Sequence, residues 1–205
     1  MLPKTLVFID VETGGLDPAV HGLTEVAAVA FTFDDAGGGQ VLDSLSMIVA
    51  PTANLAYSPY ALGLQGRTLE WLQENGSPEE SVMQSLSEFL FTHLGDTDTR
   101  HGLIWAHNAT FDQSFLRALE ERTTGINALR YNREFPTRCD FSCTKTLFYC
   151  LRAFGVHDGK WSNLKEIAKQ YGIAPSGNEH SALADARMGI ECLAAMKREM
   201  DERKS

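Results

Sequence analysis

Apolar and β-branched residues crowd the first fifty positions in short runs rather than at helical spacing. Thr5-Leu6-Val7-Phe8-Ile9-Asp10-Val11 has the length and branching of a buried central strand, and it stops at a glycine-rich turn. Glu25 to Phe33 reads as a second strand, Asp34 to Gly39 as a turn and residues 41–49 as a third strand. Links this short predict an antiparallel meander. Residues 50–66 hold Pro51 and Pro59, show no clean period and read as a loop, with a short helix from Arg67 to Glu74.

After residue 76 the period changes. Ser77-Pro78-Glu79-Glu80 is a helix-start pattern, with an N-cap serine, a proline at the first position and a capping-box glutamate. Val82, Leu86, Phe89 and Leu90 then fall on one face. Residues 102–106 predict a fourth strand, Thr110 to Arg122 a helix, and 123–138 a basic irregular connector. A strand end and a helix occupy 139–154, closed by Gly155, and another helix follows Ser162. The last helix runs from Ser181 nearly to the end, with Leu183, Ala186, Ile190 and Leu193 as its stripe; Phe115 and Leu119 are expected in the core. A meander of strands followed by strands alternating with helices predicts an α/β/α sandwich around a mixed five-stranded sheet.

Composition narrows this picture. A chain of 205 residues suits a single domain over 1–205. No apolar run has the length of a bilayer span, so no membrane partner is expected, and no export signal is read. The expected location is therefore the cytoplasm, with Cys139, Cys143, Cys150 and Cys192 as reduced thiols. A formal net charge of −9 removes the broad cationic field that drives non-specific duplex binding. Any nucleic-acid contact would be local, at a strand end or short single strand, with metal ions offsetting phosphate charge.

Three clusters carry candidate chemistry. Asp10 and Glu12 are two apart on a strand and so share a face at its C-terminal end, where ligands of open α/β sheets bind. Two carboxylates this close raise each other's pKa unless a cation lies between them. Thr13-Gly14-Gly15 follows and lets backbone N–H groups approach a ligand, or simply makes a tight turn. His107-Asn108-Ala109-Thr110-Phe111-Asp112 begins where the fourth strand ends, so a third acid reaches the same sheet edge. His107 and Phe111 offer an imidazole and an aromatic face for a sugar or base. In His180-Ser181-Ala182-Leu183-Ala184-Asp185, five helical residues turn through about 140° net, so His180 must sit in the loop before the helix to converge with Asp185. A loop histidine suits a general base. Each fragment alone has a structural explanation; the combination is the signal.

Together, Phe8 to Gly15, Ala106 to Asp112 and His180 to Ala186 resemble the three motifs of the DEDDh 3′–5′ exonucleases. This family belongs to the ribonuclease H-like superfamily and includes the proofreading subunit of bacterial replicative polymerase, ribonuclease T and exonuclease X. Cys143 to Leu147 and Trp161 to Leu164 are most similar to exonuclease X-type members. The resemblance implies a ribonuclease H-like fold and two-metal hydrolysis with Mg²⁺, Mn²⁺ substituting. Asp10, Glu12 and Asp185 would hold one ion; Asp10 would bridge to a second, assisted by Asp112. His180 would take the proton from the attacking water, while Thr13, Gly14, Gly15, Leu16, His107 and Phe111 would hold the terminal nucleotide. Lys145 stands where many members have aspartate and Gln65 where histidine is common, so substrate shape is what these departures affect.

DNA is the favoured polymer on this resemblance, with a ribonuclease T-type exoribonuclease as the alternative. Two further readings are a non-catalytic module that binds strand ends and a phosphodiesterase acting on dinucleotides. The chain ends shortly after its last helix, so a free-standing enzyme is expected rather than a polymerase-docked subunit. Arg130, Arg133 and Arg138, interleaved with Tyr131 and Phe135, read as a strand-guiding patch, a homodimer contact or a solvated loop.

Overall fold

β1 (Leu6–Thr13) is the middle strand of a five-stranded sheet of order β3-β2-β1-β4-β5. The computed structural model describes residues 4–34, 37–95, 102–124, 140–160, 163–174 and 181–203. β2 (Leu23–Phe33) and β3 (Gly39–Ile48) continue β1 as the expected antiparallel meander. β4 (Ile104–Ala106) and β5 (Ser142–Cys143) add in parallel on the other side. The mixed sheet is as expected.

Strand alternation divides β1 between two helical layers. Val7, Ile9 and Val11 pack with Leu86 and Leu90 of α3 (Glu79–Leu94) and with Phe115, Leu116 and Leu119 of α4 (Ala109–Thr124). Phe8 points the other way, into Ala186, Ile190 and Leu193 of α7 (Ala182–Glu202). Each fully buried Leu or Phe here contributes about 1.5–3 kcal/mol. Gly189 is required at this contact, because a Cβ there would come within 2.2 Å of the Phe8 ring. α5 (Thr144–Ala153) and α6 (Leu164–Gln170) pack on the same helix through Phe148, Leu151, Ile167 and Met196. Among the described residues no helix is long and apolar enough to cross a membrane.

Two local expectations are corrected. The segment read as a loop, 50–66, contains α1 (Pro59–Leu64), a six-residue helix with only Leu62 buried, too short to show a period; α2 (Leu69–Asn75) follows, capped by Thr68. α3 begins at Glu79 with Pro78 at the N-cap and no side-chain cap. Ser77 does not cap because its backbone is tied to the sheet: its N–H donates to Ile48 O at 2.9 Å and its carbonyl accepts from Ala50 N–H at 2.9 Å. Of the cysteines, Cys143, Cys150 and Cys192 are free thiols. Cys139, the residues of the basic connector named above, Trp161, Ser162 and His180 lie outside the described residues.

Candidate metal centre

Asp10 and Glu12 share Phe8's side of β1, so both project toward the layer of α7. That helix begins at Ala182, which places Asp185 in its first turn; its N–H donates to Ser181 O at 3.0 Å. One ligand atom from each of Asp10, Glu12 and Asp185 lies within 4.8 Å of the others. Carboxylates separated by more than 170 positions in the chain thus meet because one helix crosses one strand.

Asp112 arrives from the opposite layer. The N–H of Val7 donates across to Leu103 O at 3.0 Å, so odd-numbered donors of β1 face β4. β4 ends at Ala106, before β1 reaches Val11, and the Val11 N–H donates instead to Asp112 Oδ1 at 3.2 Å. The other oxygen, Oδ2, is buried without a hydrogen-bond partner among the described residues. A buried carboxylate oxygen in that state is costly unless something electropositive meets it.

The electrostatics agree. Withdrawal from water, then the charges of Asp112, Asp185, Glu12 and Glu25, push Asp10 well above the usual carboxylate range. Glu12 is pushed up to about 7, first by burial and then by Asp185 and Glu25, against the opposing pull of Arg67 and Lys165. Burial also raises Asp112 well above its ordinary value, although its backbone hydrogen bonds oppose this. Crowded oxygen donors that resist ionisation in water alone fit a hard divalent cation.

The expected substrate-side residues are placed as follows. Leu16 is 84% exposed beside Glu12 and Thr13, at the mouth of a cavity of about 450 Å³ walled also by Tyr60 and Leu64 of α1. The N–H of Gly14 is spent on Gly22 O at 2.8 Å, and a Cβ at Gly14 would meet Tyr57. His107 Nδ1 lies in hydrogen-bond contact with Thr144 Oγ1 at 2.9 Å, and that hydroxyl also lies 3.4 Å from Ala106 O. Phe111 is half-buried, its ring 4.9 Å from that of Phe115. The four acids therefore gather in one region, with Leu16 close by.

Sequence reasoning missed a polar clamp behind this region. Glu12 pairs across the sheet with Glu25, which is buried and accepts from Arg67. Gln65 donates to Thr13 O at 2.9 Å and accepts from Thr24 Oγ1 at 2.7 Å. A glutamate inside an otherwise apolar strand was the available signal for Glu25; its arginine lies beyond an irregular segment.

The exonuclease family's sequence profile matches residues 7–193. The chain is 32% identical over 184 residues to the DNA polymerase III PolC-type of Thermotoga maritima, covering 90% of this chain and 11% of that protein. It is 32% identical over 117 residues to ribonuclease T of Haemophilus influenzae, covering 57% of this chain and 51% of that protein. The chain thus spans about half the length of this ribonuclease T and far less of the polymerase. Among solved structures, E. coli exonuclease I in complex with a dT13 oligonucleotide matches with a TM-score of 0.76 at 20% identity, over 98% of this chain and 42% of that one. The nuclease domain of 3′hExo, a DEDDh family member bound to rAMP, matches with a TM-score of 0.71 at 17% identity, over 96% and 93%. At such identities the structures establish the fold, which is the ribonuclease H-like sandwich expected.

Proposed function

Because the chain belongs to the exonuclease family over residues 7–193, we propose that it is a divalent-metal-dependent 3′–5′ exonuclease that hydrolyses the terminal phosphodiester bond of a nucleic-acid strand. The observation that carries this reading is the meeting of Asp10, Glu12 and Asp185 within ligand distance of one another. The Oδ2 of Asp112, without a hydrogen-bond partner among the described residues, supports it.

Asp10, Glu12 and Asp185 would hold one Mg²⁺, and Asp10 with Asp112 a second, Mn²⁺ substituting. Bound there, such ions would supply charge stabilisation to the oxygens of an in-line displacement. The chain's own groups do the rest. The backbone from Thr13 to Gly15, the Leu16 side chain, His107 and Phe111 hold and orient the terminal nucleotide. Thr144 fixes the His107 ring. His180 takes the proton of the attacking water on an imidazole nitrogen, a role that rests on the motif.

Single-stranded 3′ ends are the proposed substrate, with DNA favoured. Likeness to ribonuclease T supports RNA as the second reading. The free thiols Cys143, Cys150 and Cys192 suit a cytoplasmic protein. The test is digestion of matched single-stranded DNA, RNA and duplex ends, labelled at the 5′ terminus, with Mg²⁺ and with chelator. Stepwise shortening from the 3′ end only with Mg²⁺ is expected; undiminished digestion in chelator would refute the metal.

A further inference from the structure

His21 closes the connection between β1 and β2, and its imidazole lies flat on Gly15. A Cβ at Gly15 would come within 2.1–2.5 Å of three ring atoms, so any larger residue there would expel the ring. The backbone on both sides of His21 is anchored: Ala56 N–H donates to Val20 O at 2.8 Å, and Gly22 N–H to Ala56 O at 3.3 Å.

The surrounding hydrogen bonds also assign the tautomer. Asp17 N–H donates to His21 Nδ1 at 3.2 Å. The Asp17 carbonyl lies equally far from Nδ1. That oxygen, however, already accepts from Val20 N–H at 3.0 Å and His21 N–H at 2.7 Å. Nδ1 is therefore the acceptor, and the proton resides on Nε2.

This imidazole lines the cavity that begins at Glu12. Other polar groups of the lining are already committed: the Gln65 amide at both ends, and the Thr13 hydroxyl to Gly15 O at 2.6 Å. The hydroxyls of Ser58 and Tyr60 rotate and can donate or accept, so they do not select. The Nε2–H of His21 has a set direction and only one hydrogen-bonding sense. Leu16, Tyr60 and Leu64 supply the apolar faces that a base ring fits, whereas a phosphate belongs with the carboxylates and their ions.

We propose that His21 is a specificity-determining residue, donating Nε2–H to a hydrogen-bond acceptor on the base of the strand-terminal nucleotide seated in this cavity. The proposal rests on the exonuclease reading. A strand ending in an abasic residue leaves the donor unmatched, and discrimination against it follows.

The test compares wild type with His21→Gln and His21→Asn. Glutamine can carry its amide nitrogen near the place of Nε2, whereas the shorter asparagine amide reaches only the place of Nδ1, where its oxygen can accept from Asp17 N–H. Two quantities are measured: kcat/KM in Mg²⁺ for strands ending in an ordinary or an abasic residue, and anisotropy binding of both strands without divalent cation. Wild type should prefer the base-bearing end. His21→Asn should lower that preference about three- to tenfold, the worth of one neutral hydrogen bond, and His21→Gln should restore most of it. A preference unchanged in His21→Asn, or equal losses on both strands in both variants, overturns the proposal. Binding preference that depends on His21, without digestion of either strand, upholds the base contact and refutes the hydrolysis.

Discussion

The chain treats two groups of withdrawn carboxylates in opposite ways. Glu25 and Glu79 are each given an arginine: Arg67 closes on Glu25, and Arg122 donates to both oxygens of Glu79 at 2.7–3.2 Å. Asp10, Glu12, Asp112 and Asp185 crowd one another instead, and their mutual charge is part of what raises Asp10 and Glu12. The first group is complete in the protein alone. The second keeps a mutual repulsion that a divalent cation would relieve, and on the proposed function that is the physical difference between an acid that holds a fold and one that serves chemistry.

Substitution separates the two groups most sharply. Asp10→Asn or Asp185→Asn should lower kcat/KM on a labelled strand by about a thousandfold or more, equivalent to the several kcal/mol a catalytic metal supplies. Both variants should nevertheless be at least as stable as wild type in chelator, because a repelling charge is gone. Thermal melts without metal check the second half, and clear destabilisation would break the comparison.

Arg67→Met should do the reverse. It leaves Glu25 buried without its cation and should cost about 3–5 kcal/mol in urea unfolding. Replacing both members, Glu25→Gln with Arg67→Met, should recover much of that loss. The result to watch for against this is a single variant that unfolds at the wild-type midpoint.

The pH response distinguishes the groups a third way. Glu12 has a folded pKa raised to about 7, so its contribution to stability is present below its ordinary range near 4.5 and is lost as pH rises through about 7. Asp10 and Asp112 shift in the same direction. In chelator this cluster should therefore lower Tm between pH 5 and pH 8, and Mg²⁺ should raise Tm by roughly 2–4 °C or more at pH 8 but by less at pH 5. Calorimetry at the two pH values checks the sign. The smallest effect belongs to an exposed pair: Lys197→Met removes the 2.6 Å contact with Asp201 and should change stability by less than about 0.5 kcal/mol.

Much of this was legible from local chemistry. The strand at Leu6–Thr13, the meander and the core stripes of α3 and α7 follow from periodicity, because each buries a face that its own spacing defines. The acids were legible because carboxylates at the ends of strands and starts of helices have few structural reasons to cluster. What escaped was set by distant neighbours. Ser77 carries a helix-start pattern, yet Ile48 and Ala50 hold its backbone. α1 buries one residue and leaves no stripe, although it supplies the wall of the cavity.

The amino-acid sequence by itself determined which segments bury an apolar face and which acids arrive at the open edge of the sheet, since both depend on spacing within a single element. Only the tertiary structure decided that α7 lays Asp185 against Asp10 and Glu12, that Arg67 answers Glu25, and that Asp17 sets the proton of His21. Those outcomes depend on the approach of one element to another, and a charge or hydrogen bond has no meaning until its partner's distance is set.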